Sequence, residues 1–178
     1  MKNHLTRKIV VIGGGVIGNS TAWHLSNLGH EVILVDPLCD LCDKKNTNIR
    51  TLNGTTASLG VLMGNIYSKH SGRGWKLRTR SMELWPLWIS KLKLFEKELI
   101  IQKPLIKLAE SEAEKILIEN IYRRKNHLKI ELLSKNIENK FLLELPKHNF
   151  GGIISYEDGR LDPIKLQHSF NLILKQQN

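Results

Sequence analysis

The sequence predicts an α/β fold, because three features follow one another within its first 36 residues. The β-branched residues 9–12 are typical of a buried strand, and they lead directly into the three glycines of residues 13–15. Apolar residues then recur at helical spacing over residues 16–28. Residues 31–35, EVILV, predict a second strand, which leads into Asp36. This order of strand, glycine turn, helix, strand and acidic residue is typical of a βαβ unit that binds a dinucleotide.

Each glycine of the turn has a physical role in such a unit. Gly13 allows the sharp exit from the first strand, where a side chain would clash, and Gly15 lets the backbone approach a diphosphate closely. Gly18 lets the helix pack against the strand. The diphosphate would face the free amides of the first helical turn, at Val16 and Ile17, where the helix dipole favours negative charge.

Asp36 and the segment after it bear on which dinucleotide is bound. A carboxylate after the second strand accepts hydrogen bonds from ribose hydroxyls, which disfavours NADP but leaves NAD and FAD open. The following residues 46–65 lack helical periodicity and are rich in Gly, Thr, Ser and Asn. A loop this long in a compact domain is usually functional, whereas an NAD dehydrogenase would usually continue with another helix and strand. The segment therefore favours FAD.

The remainder of the chain predicts alternating helices and strands. Residues 71–99 predict a long helix, with a kink or a break expected at Trp85, just before Pro86. A strand near residues 105–109 precedes Ser111 and Glu114, a capping box that opens a helix of roughly 14 residues. A short helix is expected at residues 135–143, then a strand that enters a turn at Asp158. The last helix begins after this turn, with an N-cap Asp followed by Pro.

Four motifs occur in the order VVIGGGVIGNSTAWHLSNLGHEVILVD, GTTASLGVLMG, RSMELWPLWISKL and YEDGRLDPIKLQHSF. With them the chain resembles the N-terminal half of the FAD-dependent D-amino-acid oxidase family, and in particular its glycine oxidase branch, which is associated with thiamine biosynthesis. The resemblance implies a Rossmann-like FAD-binding domain in residues 1–98. It further implies the beginning of an α+β substrate domain in residues 99–157, and a helix in residues 158–178 that returns to the FAD domain. The fold is then incomplete relative to the family.

The resemblance also implies where the cofactor is held. In that family the small-residue segment runs along the diphosphate and ribityl chain of the flavin, which assigns this contact to Thr55, Thr56, Gly60 and Val61. Hydroxyl groups and bare amides suit a phosphate and a polyol. The alternative for the two threonines is a role in capping the loop. Members of the family oxidise an amine or a small amino acid by hydride transfer to FAD.

The residues that grip the substrate carboxylate in that family belong to its other half, so no catalytic residue is assigned to this chain. We expect the chain to be inactive alone unless a second chain supplies that half. Two alternatives stay open: a non-catalytic flavin-binding remnant, and the flavin domain of a tRNA-modifying oxidase, which only the basic charge favours.

Composition excludes other classes of protein. The chain is 41% hydrophobic and 25% charged, as in globular proteins, and no apolar run approaches the ~20 residues that cross a membrane. No targeting segment is recognised, so a cytoplasmic location is expected. The net charge is +10, and its one local cluster is GRGWKLRTR. We expect this cluster to be a solvated helix face, with a weak polyanion contact as the alternative. A nucleic-acid partner is not expected. Cys39 and Cys42 lack further ligands at zinc spacing, so no metal site is expected.

Overall fold

The computed structural model describes residues 5–37, 53–141, 144–146 and 150–177, which form two compact units. The first unit comprises Met1–Gly60, Trp88–Ile100 and Leu161–Asn178, and the second comprises Val61–Leu87 and Ile101–Arg160. The predicted mixture of helices and strands is confirmed. Both cysteines and residues 46–52 of the small-residue segment lie outside the described residues. Within the described ranges, no helix has the length and apolar character needed to cross a bilayer.

The first unit contains the βαβ element at the positions that the sequence predicts. Strand β1 is Lys8–Ile12, helix α1 is Val16–Asn27 and strand β2 is Glu31–Val35. The two strands are parallel, in a register that sets Lys8 opposite Glu31 and Ile12 opposite Val35. Helix α1 ends where Gly29 takes a φ of +84°, a conformation that suits glycine. The local periodicity of the sequence was therefore sufficient to predict this element.

Aromatic side chains form much of the core of the first unit. Trp23 of α1 is buried, and its ring meets Trp88 edge-on at a centroid distance of 5.4 Å. The ring of Phe170, which belongs to helix α5 (Pro163–Gln177), lies 5.8 Å from that of Trp23. Edge-to-face pairs at these distances are favourable beyond the area that they bury. The C-terminal helix is thus an integral part of the first unit.

Helix α2 extends over Gly72–Leu92 without a break, although Pro86 lies inside it. Of the two predicted alternatives, the break before this proline is therefore wrong, whereas the kink stays a prediction; the helix also ends at Leu92, before the predicted end at residue 99. Proline removes one helical hydrogen bond and crowds the preceding turn. Because Pro86 is exposed, its ring is accommodated on the solvent side of the helix and the assignment continues.

The second unit is built on a three-stranded antiparallel sheet in the order β4–β6–β5. These strands are Leu105–Leu108, Gly152–Ser155 and Ile130–Leu132 respectively. The prediction is confirmed for β4 and β6, whereas β5 was not predicted. Helix α3, Glu112–Lys125, has the predicted length of 14 residues, and helix α4 is Lys135–Lys140, shorter than predicted. The buried core consists of Ile66, Ala109, Ile118, Ile121, Ile130 and Ile153.

A second, very short antiparallel pair joins distant parts of the second unit. Strand β3, Val61–Leu62, pairs with β7, Gly159–Arg160. The segment that contains β3 was predicted as a loop, and the segment that contains β7 as a turn. A strand of two residues is too short to show an alternation of apolar and polar residues, so the sequence pattern gives no signal for this pairing.

Candidate dinucleotide site at the glycine turn

Gly13 and Gly18 fix the geometry of the turn between β1 and α1. Gly13 has a φ of +102°, and a Cβ atom there would have no neighbour within 4 Å. The predicted clash is therefore wrong; glycine is favoured by the backbone conformation instead. At Gly18 a Cβ atom would lie 1.7 Å from the carbonyl oxygen of Gly13. The close approach of helix and strand at this point requires glycine.

The peptide groups of Gly14 are held on both sides. The N–H of Gly14 donates to Oδ2 of Asp36 at 2.6 Å, and its carbonyl oxygen accepts hydrogen bonds from the side-chain amides of Asn19 and Gln167. Both amides are buried. The turn is thus locked in one orientation by an acid after β2, by its own helix and by the C-terminal helix.

Asn19 and Gln167 were missed from the sequence. Asn19 lies one residue beyond the glycine motif, and Gln167 follows Gly14 by 153 positions. A polar residue on a predicted helix is usually solvated, so neither residue type gave a signal. Their role depends on tertiary packing around the glycine turn, which the local sequence pattern does not record.

The first turn of α1 presents backbone donors together with one hydroxyl group. Gly15 is the N-cap residue and makes no side-chain cap. The N–H of Val16 donates to Oγ1 of Thr55 at 2.8 Å, and Thr55 is buried. Within the described part of the chain, the N–H groups of Ile17 and Gly18 meet no acceptor. The helix dipole adds positive potential here, so the donor set fits the diphosphate of a dinucleotide.

The side chain of Ile17 is largely exposed. The backbone amide of Ile17 lies in the first turn of α1, where it can face a diphosphate. The predicted contact of Ile17 with a cofactor stays a prediction.

Thr56 has a different environment from Thr55. Its N–H donates to Oδ1 of Asn53 at 2.8 Å, and its Oγ1 accepts from the N–H of Asn53 at 3.1 Å. These two bonds close a local turn, which is the loop-capping alternative for this residue. A contact of Thr56 with a cofactor stays a prediction.

Gly60 and Val61 end the small-residue segment. Gly60 has a φ of +65°, and a Cβ atom there would lie 2.0 Å from the carbonyl oxygen of Leu161. The N–H of Leu161 donates to the Gly60 carbonyl at 3.0 Å. Val61 begins β3 and is 42% exposed. The bare backbone at Gly60 is therefore required by chain packing, and its contact with a cofactor also stays a prediction.

The described residues contain no group of three or more His, Cys, Asp or Glu side chains that could hold a metal ion. The polar groups at the glycine turn are instead backbone amides and one hydroxyl group, which can donate hydrogen bonds, and one carboxylate, which accepts them. These groups suit phosphate oxygens and ribose hydroxyls.

Comparisons with known proteins give the same fold. Glycine oxidase from Geobacillus kaustophilus superposes with a TM-score of 0.73 at 21% identity, over 97% of this chain and 45% of that chain. The dithionite-reduced L-alpha-glycerophosphate oxidase from Mycoplasma pneumoniae, with FAD bound, superposes with a TM-score of 0.66 at 23% identity, over 98% of this chain and 44% of that chain. At these identities the likeness is one of fold.

A D-amino acid dehydrogenase from Paramagnetospirillum magneticum is 59% identical over 29 residues, which are 16% of this chain and 7% of that protein. The chain therefore spans less than half the length of the solved structures and a small part of this relative. Residues 8–177 match the family described as FAD dependent oxidoreductase, DAO. Because this match extends over nearly all 178 residues, the chain belongs to the FAD-dependent oxidoreductase (DAO) family.

Proposed function

We propose that this chain binds FAD, with the diphosphate at the N-terminus of α1 and the adenosine ribose at Asp36. The observation that carries the proposal is that, among the described residues, the N–H groups of Ile17 and Gly18 meet no acceptor at a helix N-terminus next to a locked glycine turn. A phosphate oxygen is a natural acceptor for such free helix amides, and the hydroxyl group of Thr55, which the Val16 amide holds at 2.8 Å, lies beside them. Gly13, Gly15 and Gly18 provide the bare backbone on which this arrangement depends.

The reaction we propose is that of an amino-acid oxidoreductase, with glycine or another small amino acid as substrate. Bound FAD would supply the acceptor for the hydride of the substrate α-carbon. The residues of this chain bind and orient the cofactor: the helix amides hold its diphosphate, and Asp36 accepts hydrogen bonds from its ribose. The fold shared with glycine oxidase supports this substrate class, and the glycine oxidase branch would connect it with thiamine biosynthesis.

A second polypeptide belongs to this proposal. The chain corresponds to about 45% of the glycine oxidase chain that it resembles. Binding and orienting a substrate contributes several kcal/mol to catalysis, and no residue of this chain has been assigned to that task. We therefore propose that turnover requires a partner that carries the remaining part of the fold. A non-catalytic flavin-binding module is the alternative.

Asp36→Ala tests the cofactor site. We expect the Kd for FAD and for ADP to rise roughly tenfold to a hundredfold, since one or two charge-assisted hydrogen bonds of about 1.5–3 kcal/mol are lost. Isothermal titration of both ligands measures this. The matched control is Glu31→Gln, at the other end of β2, where an exposed carboxylate pairs with Lys8 at 2.9 Å. The control should bind both ligands with the Kd values of the wild type. A wild-type chain that binds neither ligand would contradict the proposal.

Peroxide production tests the reaction. The chain loaded with FAD is mixed with glycine, sarcosine or D-alanine, and we expect no turnover at an ordinary enzymatic rate from the chain alone. Turnover that appears only with a second polypeptide supports the split arrangement. FAD affinity without turnover under any combination supports the non-catalytic module.

A further inference from the structure

Asp158 is a fully buried carboxylate that binds three consecutive backbone amides. Its Oδ1 accepts from the N–H groups of Gly64 and Asn65 at 2.8 and 3.0 Å, and its Oδ2 accepts from that of Ile66 at 3.0 Å. The N–H of Asp158 itself donates to Oγ of Ser155 at 3.0 Å. Successive amides that surround an anion form a strong site, because each hydrogen bond is assisted by charge. The carboxylate therefore determines the backbone conformation of residues 64–66.

Lys125 holds the same loop from its carbonyl side. Its ammonium group is in a side chain that is only 5% exposed, and it donates to the carbonyl oxygens of Asn65 and Tyr67 at 3.0 and 2.8 Å. The same nitrogen lies 4.3 Å from the centroid of the Trp75 ring. Burial lowers the pKa of Lys125, and the negative charge of Asp158 acts in the opposite direction. Residues 64–67, the clamped loop, are thus held by two buried groups of opposite charge.

The residues that follow Asp158 hold the residues that precede the clamped loop. Strand β7 pairs with β3, and the N–H of Leu161 donates to the carbonyl oxygen of Gly60. Backbone pairing with residues 159–161 therefore fixes residues 60–62, and the carboxylate of Asp158 fixes residues 64–66. Among these fixed residues are Gly60 and Val61, two of the proposed cofactor contacts.

We propose that Asp158 and Lys125 are positioning residues that hold the segment of Gly60 and Val61 in the conformation that contacts the flavin half of FAD. This inference rests on the proposed function, because it presupposes that the chain binds FAD. The glycine turn and Asp36 bind the part of the cofactor that ADP also contains. The clamp acts on another segment, so its loss weakens FAD binding while ADP binding persists.

The experiment compares the Kd values for ADP and FAD by isothermal titration, in the wild type and in Asp158→Asn. Asparagine keeps the size of the side chain but removes the charge and turns a donor towards one of the three amides. We expect the ratio of the ADP Kd to the FAD Kd to fall about tenfold or more, which corresponds to the loss of one charge-assisted hydrogen bond, with the ADP Kd changed by less than about twofold. A general loss of stability would raise the Kd values for ADP and FAD by the same factor and leave their ratio unchanged.

Asp162→Asn is the matched control. Asp162 lies four positions further along and caps α5, where its Oδ1 accepts from the N–H of Ile164 at 2.8 Å. Asparagine is also a good N-cap residue, so the ratio should equal that of the wild type. Lys125→Met is the second variant, which keeps the volume of the buried side chain and removes the ammonium group. It should lower the ratio in the same direction, and it carries the test if Asp158→Asn does not fold.

The visible absorption of bound FAD gives an independent readout. We expect the band in the clamp variants to move towards that of free FAD, whereas the control keeps the wild-type band. An unchanged ratio and band in a folded clamp variant would overturn the inference and leave the proposed function standing. A wild-type chain that binds ADP and FAD equally would overturn it as well. A wild-type chain that binds neither ligand would overturn the proposed function and the inference together.

Discussion

At the scale of single residues, Gly18 has the sharpest steric constraint in the glycine turn. A Cβ atom would lie 1.7 Å from the carbonyl oxygen of Gly13, so Gly18→Ala forces helix and strand apart. We expect the free energy of unfolding to fall by about 3 kcal/mol, as in overpacked cores, and FAD uptake to be lost. Urea unfolding measures the first effect. Gly54→Ala is the control, because nothing lies within 4 Å of its added methyl group; equal losses in both variants would contradict the steric explanation.

The ion pairs of Glu157 make the free energy of unfolding depend on pH in the acid range. Hydrogen bonds from Lys129 and Lys103, at 2.7 and 2.9 Å, lower its pKa from 4.5 to about 2. Because the folded-state pKa is the lower one, the contribution of Glu157 is complete above the unfolded pKa and is lost as the pH falls through about 2. The side chain is 44% exposed, which limits this contribution to about 1 kcal/mol.

The measurement for Glu157 is the unfolding free energy of the wild type minus that of Glu157→Gln, followed from pH 7 to pH 2. The difference should be constant down to about pH 4.5 and then shrink towards zero. Glu83→Gln, which breaks an exposed pair with Arg80, is the control and should give a smaller difference at pH 7. A difference that grows in acid would show that the sign is wrong.

At the scale of elements, two serine N-caps offer a matched pair. Oγ of Ser111 accepts from the N–H of Glu114 at 3.2 Å at the start of α3, whereas Ser134 at the start of α4 makes no side-chain cap. Ser111→Ala should lower the free energy of unfolding by about 1 kcal/mol, and Ser134→Ala by less than about 0.5 kcal/mol. Urea unfolding of both variants checks this. Equal effects would mean that the hydroxyl group of Ser111 is not the source of the stabilisation.

The elements also show what sequence reasoning can reach. The opening βαβ unit, the capping box of α3 and the N-cap of α5 were predictable, because each signal lies within a few residues of the feature it predicts. Asp158 was placed only in a turn, since its partners precede it by 92 to 94 positions. The role of Gln167 was not predicted for the same reason, because its partner Gly14 precedes it by 153 positions. Such residues are determined by tertiary packing, which no local pattern of one sequence records.

At the scale of the whole molecule, the sheet of the first unit has one apolar face that the described residues leave uncovered. Val10 and Ile12 of β1 and Ile33 and Val35 of β2 are between 41% and 85% exposed. In the parallel register, Val10 lies opposite Ile33 and Ile12 opposite Val35, so the four side chains form one patch. Parallel sheets are normally covered on both faces. The chain spans less than half of the solved structures that it matches, and the proposed partner would supply the missing cover.

This patch predicts how the chain behaves in isolation. Uncovered aliphatic faces promote association, so the purified chain should self-associate with rising concentration in sedimentation velocity. The double variant Val10→Thr with Ile33→Thr should shift the distribution towards monomer with little change in stability, because both side chains already contact water. Val32→Thr, on the buried face of the same strand, is the matched control. It should destabilise the unit by about 1–3 kcal/mol without reducing association; association that persists unchanged in the double variant would assign the contact to another surface.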